Sequence, residues 1–157
     1  MDDFENFYNK SLRFLSFRPR SEKEIRDKLK SKKASSLIIN QVIVKLKEKK
    51  FINDLEFAKW WVEQRTNFKP RGLRLIKIEL RQKGISDEMI ESGIMNQESG
   101  AKNDLGLARK LIEKRLSRYK GLSKQELYQK LGSFLARRGF DWETIKQAID
   151  EVLEKGV

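Results

Sequence analysis

The sequence predicts an all-α protein built from three tandem three-helix repeats, and three observations carry that expectation. Phe17-Arg18-Pro19-Arg20 returns 51 residues later as Phe68-Lys69-Pro70-Arg71, and these segments hold both prolines of the chain. Each copy precedes the same pair of apolar anchors, Ile25 and Leu29 in the first, Ile76 and Leu80 in the second. A further shift of 55 residues brings Leu80 onto Leu135, Gly84 onto Gly139, Ile85 onto Phe140, Ile90 onto Ile145 and Ile94 onto Ile149. Finally, almost every segment carries apolar residues at helical spacing, and none reads convincingly as strand. Such a repeat makes each unit one module that buries its apolar face on its neighbours. The expected modules are residues 1–50, 51–97 and 101–157, linked in an array longer than a compact globule.

The elements follow in order. Phe4, Phe7, Tyr8, Ser11, Leu12 and Leu15 mark a first helix. A second opens on Ser21 and Glu24 in capping-box spacing and carries Ile25 and Leu29. Ile38, Ile39, Val42, Ile43 and Leu46 make residues 35–48 the most apolar helix of the first module. Asn53 and Asp54 cap a fourth helix that turns Leu55, Ala58, Trp61 and Val62 inward. The fifth runs from about Gly72 to Lys83, with Gly84 as a left-handed stop. The sixth runs from Asp87 to about Asn96, and residues 96–104 form the linker. A longer seventh helix starts near Ala101 on Leu105, Ala108, Leu111, Ile112, Leu116 and Tyr119. Ser123 and Glu126 form a second capping box, Gly139 ends that eighth helix, and Asp141 caps a ninth on Ile145, Ile149, Val152 and Leu153. Phe17 and Phe68 are expected to pack as apolar staples before their helix caps.

Composition narrows the function. Cysteine and histidine are both absent, which removes thiolate and imidazole chemistry, disulfides and Cys/His zinc sites together. No apolar run reaches the ~18 residues of a membrane span, and the acidic start is unlike a signal peptide. A soluble, cytoplasmic protein is expected. Asp54-x-Glu56 and Asp87-Glu88 sit at helix starts, where acids complement the dipole. No glycine-rich phosphate loop occurs, and no Ser and Lys pair has nucleophile–base spacing. The chain is therefore expected to be neither an enzyme nor a cofactor protein.

Charge is the informative property. The net charge is +12, and residues 10–50 alone contribute +10. A field of that sign attracts nucleic acid or an acidic protein surface. The 51-residue shift also aligns Lys23 with Arg74, Arg26 with Lys77 and Lys30 with Arg81. At ~100° per residue each triplet spans an arc of about 60° on one helix face. The third module has Gln129, Gly132 and Ala136 there, with Gly132 read as allowing close helix packing. A cation persists in all three modules, at Lys32, Lys83 and Arg138, and it has two readings: a contact to a partner, or a charge complementing the helix C-terminus. With Arg71 and Arg137, these residues are the candidate binding surface. The stripe likewise reads either as a solvated face or as a contact to a long, periodic partner. Trp61 shares the core spacing, whereas Trp60 is either an exposed contact or a plug between modules.

These motifs resemble the RecX family of RecA regulators. The resemblance rests on Arg18-Pro19-Arg20-Ser21-Glu22-Lys23-Glu24-Ile25-Arg26-Asp27-Lys28-Leu29, then Phe51-Ile52-Asn53-Asp54, Phe57-Ala58, Trp61-Val62 and Arg65. It continues through Glu79-Leu80-Arg81-Gln82-Lys83-Gly84-Ile85 and Leu135-Ala136-Arg137-Arg138-Gly139-Phe140. It covers nearly the whole chain in the right order. The chain departs from the pattern at Lys33-Ala34, where many members place a glycine. The resemblance implies an elongated, curved, right-handed stack of three-helix repeats. A monomer is expected from three modules each touching only its neighbour, and the resemblance further implies that it lodges in the groove of the RecA filament on DNA. There it would suppress strand exchange and RecA-stimulated repressor cleavage, with roles in DNA repair, recombination and the SOS response. The alternative from the residues alone is a basic helical module that binds DNA without RecA.

Overall fold

The structure, a computed structural model, describes residues 2–68, 70–95 and 101–155, apart from the side chains of 101–103 and 155. Among these, every regular element is helical. The order is α1 (Asp3–Phe17), α2 (Glu22–Ser31), α3 (Ser36–Glu48), α4 (Asp54–Asn67), α5 (Leu73–Gln82), α6 (Asp87–Met95), α7 (Ala101–Arg115), α8 (Lys124–Arg137) and α9 (Trp142–Lys155). A 3₁₀ turn, Leu116–Tyr119, ends α7, so the long helix expected to reach Tyr119 tightens one turn early. Residues 96–100, most of the expected linker, and Lys69 lie outside the described residues.

Two compact units divide the chain: Met1–Trp61 with Leu80–Gly93, and Val62–Glu79 with Ile94–Val157. The division cuts through α4, α5 and α6, so the second module contributes to both units.

In the first unit, caps fix the helix starts. Asp2 accepts the Glu5 amide at 2.7 Å. Ser21 accepts the Glu24 amide at 3.1 Å while the Glu24 carboxylate accepts the Ser21 amide, a complete capping box. Ser35 starts α3 with a simple cap, accepting the Ile38 amide at 3.2 Å, and each such cap contributes about 1 kcal/mol. Ile25, Leu29, Ile39, Val42, Ile43, Leu46 and Ile52 form the core of this unit, with α1 covering it through Phe4, Phe7, Tyr8 and Leu12.

The second unit is built on Ala108, Ile112, Leu131, Leu135, Phe140, Ile145 and Ile149, all essentially inaccessible. Its Ser123–Glu126 box is half made. Ser123 accepts the Glu126 amide, but the Glu126 carboxylate meets the Ser123 hydroxyl instead of a backbone amide.

Three expectations change. Phe17 and Phe68 are not staples; they stand 77% and 66% exposed. Within α4, Phe57 is buried beside the expected Trp61, while Leu55 is only half-buried. Gly132 is buried, yet a methyl there would meet Trp142 Cζ3 at 3.7 Å and Ile145 Cγ2 at 3.9 Å, ordinary contacts. Close packing does not require that glycine.

Candidate polyanion-binding surface

The candidate cations divide according to what they touch. Within the first unit, the start of α2 receives the second module in a dense joint. The Glu22 amide donates to Asp54 Oδ1 at 2.9 Å, so the second module's first acid caps the first module's second helix. Lys83 Nζ lies 3.3 Å from Glu24 Oε2 and 5.5 Å from the Trp61 ring centre. Gly84, at φ 79°, presses on α2 so closely that a Cβ there would fall 2.6 Å from Lys23 Cβ. Arg18 pairs with Glu24 and lies about 6 Å from the rings of Phe57, Trp60 and Trp61. Trp60 is therefore part of an inter-module contact.

The second unit repeats the joint between the second and third modules. The Leu73 amide donates to Asp104 Oδ2 at 3.1 Å. The Gly72 amide donates to the Arg138 carbonyl at 2.8 Å, and the Arg138 guanidinium donates to the Pro70 carbonyl at 3.4 Å. A Cβ on Gly139, at φ 89°, would fall 2.4 Å from Leu75 Cβ.

Two of the three persistent cations, Lys83 and Arg138, thus reach back to the preceding module's second helix or its approach, which is more than complementing their own helix. Lys32 is exposed.

Burial shapes the charges of these joints. It pushes the Asp104 carboxyl up to about 6, against the Leu73 N–H that favours its anion, and the Asp141 charge adds to the rise. Burial likewise raises Asp54, opposed by the Glu22 N–H. Around Glu24, burial also opposes ionisation, but Arg18, the Ser21 amide and Lys83 outweigh it, and the carboxyl sits below its ordinary value. Burial and the neighbouring Arg115 and Arg71 lower Arg138.

At least three of the six cations of the repeated stripe are paired internally. Lys23 pairs with Asp27 at 2.7 Å, Arg26 with Glu22 at 2.8 Å and Arg81 with Asp87 at 2.9 Å. Arg71 lies 3.5 Å from Glu79, and Lys77 is half-buried. Lys30, Lys32, Arg74 and Arg137 are exposed and have no carboxylate at ion-pair distance among the described residues. Sequence reasoning missed Asp54 and Asp104 as joint residues. Their 50-residue spacing, close to the repeat shift, was the signal available.

Comparison with known proteins shows where this architecture recurs. Family models described as the first, second and third three-helix domains of RecX match residues 8–46, 53–94 and 103–149. The chain belongs to the RecX family. It is 34% identical over 151 residues to the regulatory protein RecX of Prosthecochloris aestuarii, covering 96% of each chain. It is 36% identical over 151 residues to the regulatory protein RecX of Bacillus subtilis, covering 96% of this chain and 56% of that one. The chain thus spans about half the length of the Bacillus relatives it matches. A crystal structure of RecX from Lactobacillus salivarius superposes with a TM-score of 0.84 at 31% identity, over 96% of this chain and 97% of that one. Membership places the chain among regulatory proteins. No described helix is long and apolar enough to cross a membrane.

Proposed function

We propose that this chain binds the RecA filament assembled on DNA and lowers its recombinase and coprotease activity, acting as a monomer in the cytoplasm. The modules at residues 1–50, 51–97 and 101–157 act as its units of engagement. The observation that carries the reading is the ordered match of all three modules to domains of a regulatory family. The exposed cations support it: a long anionic filament offers repeated acceptors to Lys30, Lys32, Arg74 and Arg137, whereas a small ligand does not. Ion-paired Lys23, Arg26, Arg71 and Arg81 contribute where a partner phosphate or carboxylate displaces the internal one. Lys83 and Arg138, held in joints, act by keeping modules together.

The test is a salt titration of binding to DNA alone and to RecA-coated DNA, with strand exchange measured in parallel. The expected outcome is tighter binding to the coated filament across the range, with loss of strand exchange. Binding that is equal on bare DNA and carries the full salt slope of about −0.9 per neutralised phosphate would instead favour the basic DNA-binding module acting without RecA. The triple variant Arg26→Glu, Lys77→Glu and Arg81→Glu should weaken filament binding without unfolding the protein. Unchanged binding at moderate salt would remove the stripe from the interface.

A further inference from the structure

Off the repeated stripe, four cations of the first unit gather around one groove. Between the C-terminal halves of α1 and α2 lies a groove of about 290 Å³ lined by Lys10, Arg13, Phe14, Phe17, Lys28 and Lys32. None of its four cations has a carboxylate at ion-pair distance among the described residues. Elsewhere in the same unit Arg18, Arg20, Lys23, Arg26, Lys47 and Lys83 each have one. Four like charges around one apolar floor form a site whose missing component is negative.

We propose that this groove docks an acidic segment of a partner protein, which sets its carboxylates among Lys10, Arg13, Lys28 and Lys32 and one apolar side chain against Phe17.

Three features select a protein segment. First, Phe17 is 77% exposed, but Phe14 is already covered by the Arg20 guanidinium at 3.8 Å and the Lys28 ammonium at 5.1 Å. One free ring beside a small recess suits an apolar anchor; a run of stacked bases needs successive free aromatic faces. Second, the cations equivalent to Lys32 are satisfied by protein acceptors, Lys83 by the Glu24 carboxylate and Arg138 by the Pro70 carbonyl. Lys32 offers the same donor with no such acceptor among the described residues. Third, the occupant is not another module seated as in the two joints. Those joints require glycine at positions 84 and 139, whereas the equivalent residue here is Lys33, at φ 65°. Its Cβ would occupy the space a docking helix needs. A slender peptide between two helices, anchored by one side chain, fits instead.

The inference rests on the proposed protein partner only in assigning the segment to that partner, so its test uses a synthetic probe. The probe is a fluorescein-labelled peptide of aspartate and glutamate residues flanking a leucine pair, titrated with the full chain by anisotropy at physiological salt. Arg13→Glu with Lys32→Glu should weaken binding at least tenfold, and Phe17→Ser several-fold, while Lys124→Glu on α8 leaves it unchanged. Replacing the leucine pair by serine should weaken binding to the unaltered protein. The same replacement should have little further effect on Phe17→Ser, a coupling that a loss of folding cannot imitate. Absence of peptide binding, or binding indifferent to these changes, overturns the proposal. So does an oligothymidylate that displaces the peptide and depends on the same cations, or a concentration-dependent dimer abolished by Phe17→Ser. Failure here with intact filament binding would leave the regulatory reading standing, and the converse would separate the groove from RecA.

Discussion

Gly84 and Lys33 occupy equivalent positions after equivalent helices, and substitutions there should have opposite signs. Both residues adopt the left-handed conformation, at φ 79° and 65°. For an L residue that conformation costs about 1–2 kcal/mol. At Gly84 a methyl would also fall 2.6 Å from Lys23 Cβ and 2.9 Å from Lys23 Cδ. The distal carbons can swing away, but Cβ is fixed by the α2 backbone, and such overpacking costs about 1–3 kcal/mol. Gly84→Ala should therefore destabilise the first unit by about 2–4 kcal/mol. Lys33 is exposed, so Lys33→Gly relieves conformational strain without opening a cavity. After the entropic cost of glycine in the unfolded chain, it should stabilise by about 0.5–1 kcal/mol. Gly132→Ala is the control: helical, buried, with only ordinary contacts awaiting a methyl, it should gain about 0.5–1 kcal/mol. Urea denaturation followed by tryptophan fluorescence measures all three, because Trp60 and Trp61 report on the first unit and Trp142 on the second. Gly84→Ala within 0.5 kcal/mol of the parent (roughly the scatter of neutral surface changes), or a destabilising Lys33→Gly, would refute the reasoning.

Two carboxylates of the joints, Asp104 and Glu24, should give opposite pH dependences. Asp104, raised to about 6, binds its proton more tightly in the folded state, so its contribution is fully present below the unfolded value and is lost as pH rises through 6. Thermal unfolding between pH 4 and 7 should show this rise on acidification, bounded at roughly 3 kcal/mol, and Asp104→Asn should flatten it; an unchanged profile would remove Asp104 as its source. Glu24 is shifted downward, so its contribution is present above the unfolded value and is lost as pH falls through the folded one. Glu24→Gln should cost about 1–3 kcal/mol at neutral pH and progressively less in acid, and a cost independent of pH would show that its charge is not what matters.

Helix identity was legible residue by residue because capping and apolar spacing are local. Ser21 and Glu24 close the predicted box, and Ile25, Leu29, Ile76, Leu80 and Leu135 are buried at the predicted spacing. Phe17 misled because a large ring before a cap reads as a staple, and sequence does not say whether any surface lies opposite it. Trp60 stayed ambiguous for the same reason, until Arg18 was found beside it.

The sequence by itself determined an all-helical, three-module chain with its positive charge concentrated in the first module. Those properties follow from periodicity, repeat spacing and charge counts, which need no three-dimensional neighbour. The tertiary structure decided which of those charges are spent internally. Lys23, Arg26 and Arg81 look equivalent to Lys30 and Arg74 along the chain, yet each lies beside Asp27, Glu22 or Asp87, and the others do not. It also decided why glycine stands at 84 and 139 but not at 33: the first two press their backbone against a preceding helix, and the third faces solvent. A charge's availability and a backbone's clearance depend on distances between segments 59 and 68 residues apart in the two joints, and such distances exist only once the chain has folded.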